Sequence, residues 1–218
     1  MLIFNLMLAI PFIVSLPIQL STYPLVIVYP PEAWDISTAE LVQFREEYRE
    51  RLDGSPSSAY SSSIYLTHSE DRQHPLLMKL VQVLTTLADA EVKSAEPFSL
   101  SRYFPGQQYA WHVDNYDKRQ LRKTTFLIYL SDISLGGETI FQYLSPNLVC
   151  PRLTSFAAAC ASSSAFLKIK PQLGKILQFE NLNSLGNIQE HSRHGSCPVR
   201  SSEEKWILQL WIRDDFPK

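Results

Sequence analysis

The sequence predicts an α+β chain: helices first, then a β-sandwich or jelly-roll barrel. Two patterns carry that expectation. Between residues 37 and 88, apolar side chains recur at helical spacing. From Phe98 onward the chain breaks into seven short β-branched or aromatic runs separated by turn residues. A third observation is a His112-x-Asp114 pair inside one of those runs, where side chains two apart share a face.

Length and composition set the bounds. At 218 residues, with 45% hydrophobic and 19% charged residues, the chain is long enough to bury a core. A formal net charge of −2 gives no electrostatic reason to expect nucleic acid as a partner. The three cysteines, Cys150, Cys160 and Cys197, form no CxxC pair, which excludes finger-type zinc sites.

Residues 1–22 are an apolar extension, and Met1 to Leu20 carry no charge. They read as a secretory signal or membrane anchor, or as an extra apolar strand. The first reading sends the chain to the endoplasmic reticulum or secretory pathway, the second leaves it cytoplasmic. Residues 23–97 form an N-terminal unit of strand and helices packing on the barrel. It starts with Pro24–Tyr29, a buried strand closed by Pro30-Pro31. Ser37 with Glu40 makes a capping box for a helix with the stripe Leu41, Phe44, Tyr48, Leu52. Asp53 to Ser63, rich in Ser, reads as a mobile loop. A second helix runs from about Pro75 to Ala88, with Leu76, Leu77, Leu80, Val81, Leu84 and Leu87 on one side.

Residues 98–218 hold the barrel. Its strands are expected at 98–103, 109–114, 124–130, 138–141, 166–170, 175–179 and 206–213. About 145–165 lacks periodicity and reads as an inserted surface loop. In an oxidising lumen, Cys150 and Cys160 at its flanks are placed to bridge, and otherwise both stay reduced. Cys197 is expected as a packed thiol. The loop from Asn115 to Lys123 carries Lys118, Arg119, Arg122 and Lys123, a basic face that suits an acidic peptide or simply solvent.

Two ligands do not make a metal site. The third candidate lies 80 residues after Asp114, in His194-Gly195-Ser196-Cys197-Pro198-Val199, with Lys205 eleven residues beyond His194. Two histidines and a carboxylate with open positions opposite is the arrangement of non-haem Fe(II) oxygenases. His191 competes with His194, but only His194 leads directly into Cys-Pro-Val. Lys205 follows Glu203 and Glu204, so a solvated charge run is the alternative to an inward amine.

From about Pro24 onward the chain resembles the Fe(II)/2-oxoglutarate dioxygenases of the prolyl 4-hydroxylase type. The matching blocks are Arg102-Tyr103-x-x-Gly106-x-x-Tyr109-x-x-His112-x-Asp114, then Thr125 to Asp132, and Gly136-Gly137-Glu138-Thr139-Ile140-Phe141. Lys170-Pro171-x-x-Gly174-Lys175-x-Leu177-x-Phe179-x-Asn181 follows, and then the His194 block with Lys205-Trp206. The resemblance implies a double-stranded β-helix (jelly-roll) and Fe(II) held by His112, Asp114 and His194. It implies 2-oxoglutarate held by Lys205, Tyr103 and Thr139, with Tyr129 added by strand alternation. It also implies O2 as co-reactant, L-ascorbate as reductant, and hydroxylation of a Pro-containing peptide or protein with release of succinate and CO2. The same chemistry on another side chain or small molecule, a non-catalytic barrel and a zinc hydrolase are the alternatives.

Overall fold

A computed structural model of the chain describes residues 17–22, 25–52, 60–115, 121–145, 155–162 and 165–214. Seven antiparallel strands make the larger sheet. They are β1 (Ile18–Thr22), β2 (Leu25–Tyr29), β3 (Ser62–Tyr65), β4 (Ser99–Tyr103), β6 (Arg122–Tyr129), β9 (Ile176–Glu180) and β11 (Lys205–Arg213), in the order β1-β2-β9-β6-β11-β4-β3. A smaller sheet, β5-β10-β7-β8, is built from β5 (Tyr109–His112), β7 (Thr139–Phe141), β8 (Leu167–Ile169) and β10 (His194–Ser196). The two sheets close over one another as a jelly roll.

Period-two alternation decides which side of the larger sheet each residue serves. Phe126 and Ile128 of β6, with Trp206, Leu208, Leu210 and Ile212 of β11, pack under the helices. Leu127, Tyr129 and Ile207 point the other way, into the barrel with Phe141, Ile169 and Phe179. The covering helices are α1 (Thr38–Glu47), α2 (Ser69–Gln73) and α3 (Pro75–Leu87). At α1 the Ser37 hydroxyl accepts from the Glu40 N–H at 3.2 Å, and the Glu40 carboxylate accepts from the Ser37 N–H at 2.9 Å. The helix ends at Glu47, yet Tyr48 and Leu52 continue the buried stripe through the turn that follows. On α3 Val83 is buried and Val81 only half so. Both pack against the core beneath the helices.

Two expectations need correction. Ser62 and Ser63 are not loop residues: they belong to β3, which pairs with β4. The 145–165 insertion is not wholly loop, since its described part contains α4 (Phe156–Ala161), capped by Ser155. Strands β1, β2 and β3 are integral members of the larger sheet. Of residues 1–22, only 17–22 are described, and 18–22 are strand. Among the described residues, no helix is long and apolar enough to cross a membrane.

The insertion is fastened by a disulfide, and its pairing differs from the expected one. Cys160 on α4 is bonded to Cys197, just past β10, and not to Cys150, which lies outside the described residues. Cys197 is thus no free packed thiol. Nearness in sequence favours Cys150, but α4 lies over the outer face of the small sheet, where Ile140, Phe166, Trp111 and Phe156 gather around the bridge. A six-residue helix has no stability of its own. With a sequence separation of 37 between the cysteines, loop-closure entropy gives about 4 kcal/mol. Cys160→Ser is expected to cost about 2–4 kcal/mol in urea unfolding. A midpoint unchanged from the parent would mean that the bridge does not form.

Candidate active site

His112 is the last residue of β5, and His194 the first of β10, directly opposite it in the ladder. Their rings stand 4.2 Å apart between centroids. Asp114 lies two residues past the end of β5, in a bend, and its Oδ1 is 3.6 Å from His112 Nε2 and 3.9 Å from His194 Nε2. One donor atom from each of the three lies within 4.8 Å of the others. The far side of each imidazole is committed: His112 Nδ1 is 2.9 Å from the Ala110 carbonyl, His194 Nδ1 3.0 Å from the Ser192 carbonyl. A carbonyl only accepts, so each Nδ1 carries a proton and Nε2 is the nitrogen turned inward.

Electrostatics point the same way. Burial first, and the His194 imidazole second, push His112 below its ordinary value, which keeps it neutral. Burial opposes the charge on Asp114. The two imidazoles and the Thr125 hydroxyl outweigh it and hold the carboxyl below the usual range. Two imidazole nitrogens and one ionised carboxylate are what a first-row divalent ion takes as ligands. The donor set fits iron without adjustment of ligand type.

His191, the rival third ligand, is exposed in the 3-10 turn before β10 and meets the Tyr143 ring edge-on at 5.6 Å between centroids. Gly195 allows the ligand strand to be covered so closely: a Cβ there would meet Phe156 Cε2 at 2.6 Å and the Tyr109 carbonyl at 2.8 Å.

Lys205 opens β11 and is fully buried. Alternation turns its neighbours Glu204 and Trp206 to the opposite side. There Glu204 accepts from Arg102 at 2.6 Å and from Arg49 at 2.8 Å, so it belongs to an ion-pair network and not to a solvated charge run. The Lys205 amine donates to the Gly137 carbonyl and to the Ser196 hydroxyl, each at 2.6 Å. Gly136 makes the turn that presents this carbonyl: its φ is +78°, and a Cβ would sit 2.3 Å from the Pro198 carbonyl. Burial pushes the Lys205 amine down to about 7, with the Glu138 charge opposing the fall. A cation held in such a place calls for an anion.

A cavity of about 340 Å³ joins these parts. The three candidate ligands line it, with Thr139, Ser196 and Tyr103. Tyr129 is fully buried behind Thr139 and donates to its hydroxyl at 2.7 Å. Burial pushes the Tyr103 hydroxyl up to about 12, so it stays a donor at neutral pH. Its ring lies 5.2 Å from the Lys205 amine. Of the seven residues singled out in the sequence, Tyr103, His112, Asp114, Thr139 and His194 line this cavity, while Tyr129 and Lys205 lie behind its wall, bonded to Thr139 and Ser196.

Arg122 does not belong to a free basic loop. Its guanidinium is bound by Glu96 at 2.8 and 2.9 Å and lies 3.8 Å over the Trp211 ring. Lys118 and Arg119 lie outside the described residues. Sequence reading missed roles for Thr125, Asn181, Ser196 and Arg122. The first had a signal: Thr125 shares its strand face with Leu127 and Tyr129.

Residues 98–213 match the family model described as the 2OG-Fe(II) oxygenase superfamily, more than half of the chain. The chain belongs to that superfamily. Prolyl 4-hydroxylase 13 of Arabidopsis thaliana is 31% identical over 153 residues, covering 67% of this chain and 53% of that protein. The probable prolyl 4-hydroxylase 9 of the same plant is 36% identical over 125 residues, 55% of this chain and 41% of the relative. This superfamily member thus spans about half the length of the curated relatives it matches. Its fold is also that of the viral collagen prolyl hydroxylase of Paramecium Bursaria Chlorella virus-1. The TM-score is 0.59 at 23% identity, over 82% of this chain and 91% of the other.

Proposed function

We propose that the chain is an iron- and 2-oxoglutarate-dependent hydroxylase acting on prolyl residues of a peptide or protein. The observation that carries this reading is the fully buried Lys205 amine behind the same cavity onto which His112, Asp114 and His194 open. Neither a hydrolase nor a passive barrel needs that pair of features. When bound, iron, 2-oxoglutarate and O2 supply the oxidation that places one oxygen atom on the substrate and leaves succinate and CO2.

The chain's own residues hold and orient. His112, Asp114 and His194 would hold the metal. Lys205 takes the far carboxylate of 2-oxoglutarate as a point charge, with the Tyr103 and Thr139 hydroxyls as neutral donors to its oxygens. Phe141 and Phe179 pack on the His194 ring, at 5.9 and 4.7 Å between centroids, and shut water out behind it.

The mouth supports a peptide substrate. Tyr60, Tyr65 and Tyr109 line it and are 61%, 52% and 39% exposed. Exposed aromatic faces suit the extended, N–H-poor backbone of a Pro-rich segment. The names of the relatives support proline as the target. L-Ascorbate as reductant belongs to the same reading. The Cys160–Cys197 bridge supports an oxidising compartment such as the endoplasmic reticulum.

The test is succinate release by protein supplied with Fe(II), 2-oxoglutarate and O2, run with and without Pro-rich peptides, with peptide mass read in parallel. The expected result is peptide-dependent succinate with one added oxygen per succinate. Succinate without any gain in peptide mass overturns proline as the target. No succinate under any condition leaves a binding module.

A further inference from the structure

We infer that Thr125 and Asn181 form a hydrogen-bond relay that positions Asp114 to offer a single oxygen to the metal, an inference resting on the reading of the triad as a divalent-metal site.

Asp114 needs such a device because it lies beyond the last residue of β5, where no ladder fixes its backbone. Asn115 substitutes for strand pairing. Its side chain donates to the Arg122 carbonyl at 3.0 Å and accepts from the Arg122 N–H at 2.8 Å. The Arg122 guanidinium donates to the Asp114 carbonyl at 3.2 Å. These bonds place the backbone of Asp114 and leave its carboxylate free to turn.

The relay removes that freedom. Asn181 Nδ2 is 2.7 Å from Thr125 Oγ1, and Thr125 Oγ1 is 2.6 Å from Asp114 Oδ2. Its direction follows from what each group can do. An ionised carboxylate only accepts, so the one hydroxyl proton of Thr125 goes to Asp114. The Thr125 oxygen is then an acceptor, and Asn181 must present its amide N–H to it. Asn181 is itself fixed through its backbone, donating to the Lys123 carbonyl at 2.8 Å and accepting from Gln189 at 2.9 Å. Asp114, Thr125 and Asn181 are 5%, 0% and 1% exposed, so water does not compete for these bonds. With Oδ2 engaged, Oδ1 is the oxygen that faces both imidazoles. Outer partners of this kind hold a ligand in its productive orientation.

The experiment uses the full chain stripped of metal and titrated with Co(II), whose visible absorption reports both affinity and coordination. Thr125→Val keeps the shape and loses the hydroxyl. It is expected to bind Co(II) about 10- to 100-fold more weakly, with an altered band envelope as Oδ2 becomes free to chelate. Thr125→Ser is expected to return both to within about threefold of the parent, about 0.7 kcal/mol. Metal-free melting points of the variants tell loss of the relay from loss of the fold. Asn181→Ala leaves the Thr125 hydroxyl in place but unaimed, and an intermediate loss is expected. It serves as the deciding variant should Thr125→Val not fold. Parent-like Co(II) affinity and spectrum in Thr125→Val, or in Asn181→Ala where that variant decides, overturns the relay and leaves the metal site standing. A parent chain that takes no Co(II) overturns the site reading and the relay together.

Discussion

Asp114→Ala is expected to abolish metal retention at micromolar concentrations and to bring hydroxylation to background. Asp114 is the one residue of the triad that can carry a negative charge, and without it a dication in this cavity has no anionic partner among the three. Loss of one partner from a buried charged pair costs about 3–5 kcal/mol, which is roughly 100- to 5,000-fold in dissociation constant. Asp114→Asn separates charge from shape, because its amide oxygen still accepts from Thr125. Its affinity is expected between that of the parent and that of the alanine variant. Anaerobic calorimetric titration with Fe(II) measures all three. Iron binding undiminished in Asp114→Ala would end the assignment of this cavity as the metal centre.

The second large effect belongs to Lys205. Lys205→Ala is expected to weaken 2-oxoglutarate binding by about 2–5 kcal/mol, roughly 30- to 5,000-fold, while metal affinity stays at the parent value. Lys205→Arg keeps the charge but not the compact geometry, and recovers part of the loss. The pH dependence follows from burial, which has brought the free amine to about 7. A carboxylate binds the ammonium form, so above pH 7 the complex holds one proton more than the free protein. Raising the pH therefore opposes binding. Affinity is expected to be flat below about pH 6.5 and to fall toward tenfold per pH unit above pH 7.5. Lys205→Ala removes that slope. A parent chain whose 2-oxoglutarate affinity is level from pH 6 to 9, and matched by the alanine variant, would show that the amine is not the anchor.

Legibility in the sequence tracked local physics. The Ser37 and Glu40 pair, the alternation along β6 and β11, and the spacing of His112, Asp114 and His194 are all written in short runs of residues. They survive because local preference and tertiary placement agree there. The elements that escaped are those made by their neighbours. Ser62–Tyr65 has one aliphatic residue and becomes a strand because β4 offers it an edge. His194–Ser196 shows no alternating pattern and is extended because β5 and β7 flank it. The cysteine pairing escaped for the same reason. Cys150 is ten residues from Cys160 along the chain, but only the fold brings Cys197 beneath α4. Thr125 and Asn181 were in plain view as strand residues. Their value lies in a bond direction that no spacing records.

The strand that carries Lys205 also lies inside the larger sheet, hydrogen-bonded to β6 on one side and to β4 on the other. It is the most C-terminal described strand, and β1-β2-β9-β6 and β3-β4 are joined into one sheet only through residues 205–213. Long-range pairing of this kind closes late and slowly. The helix-facing core, the barrel interior and the anion pocket are then completed in a single insertion. A nascent chain stalled before residue 205 would expose sticky strand edges to chaperones while already carrying all three metal-ligand residues. Anion binding through Lys205 is thus expected only once the fold is finished.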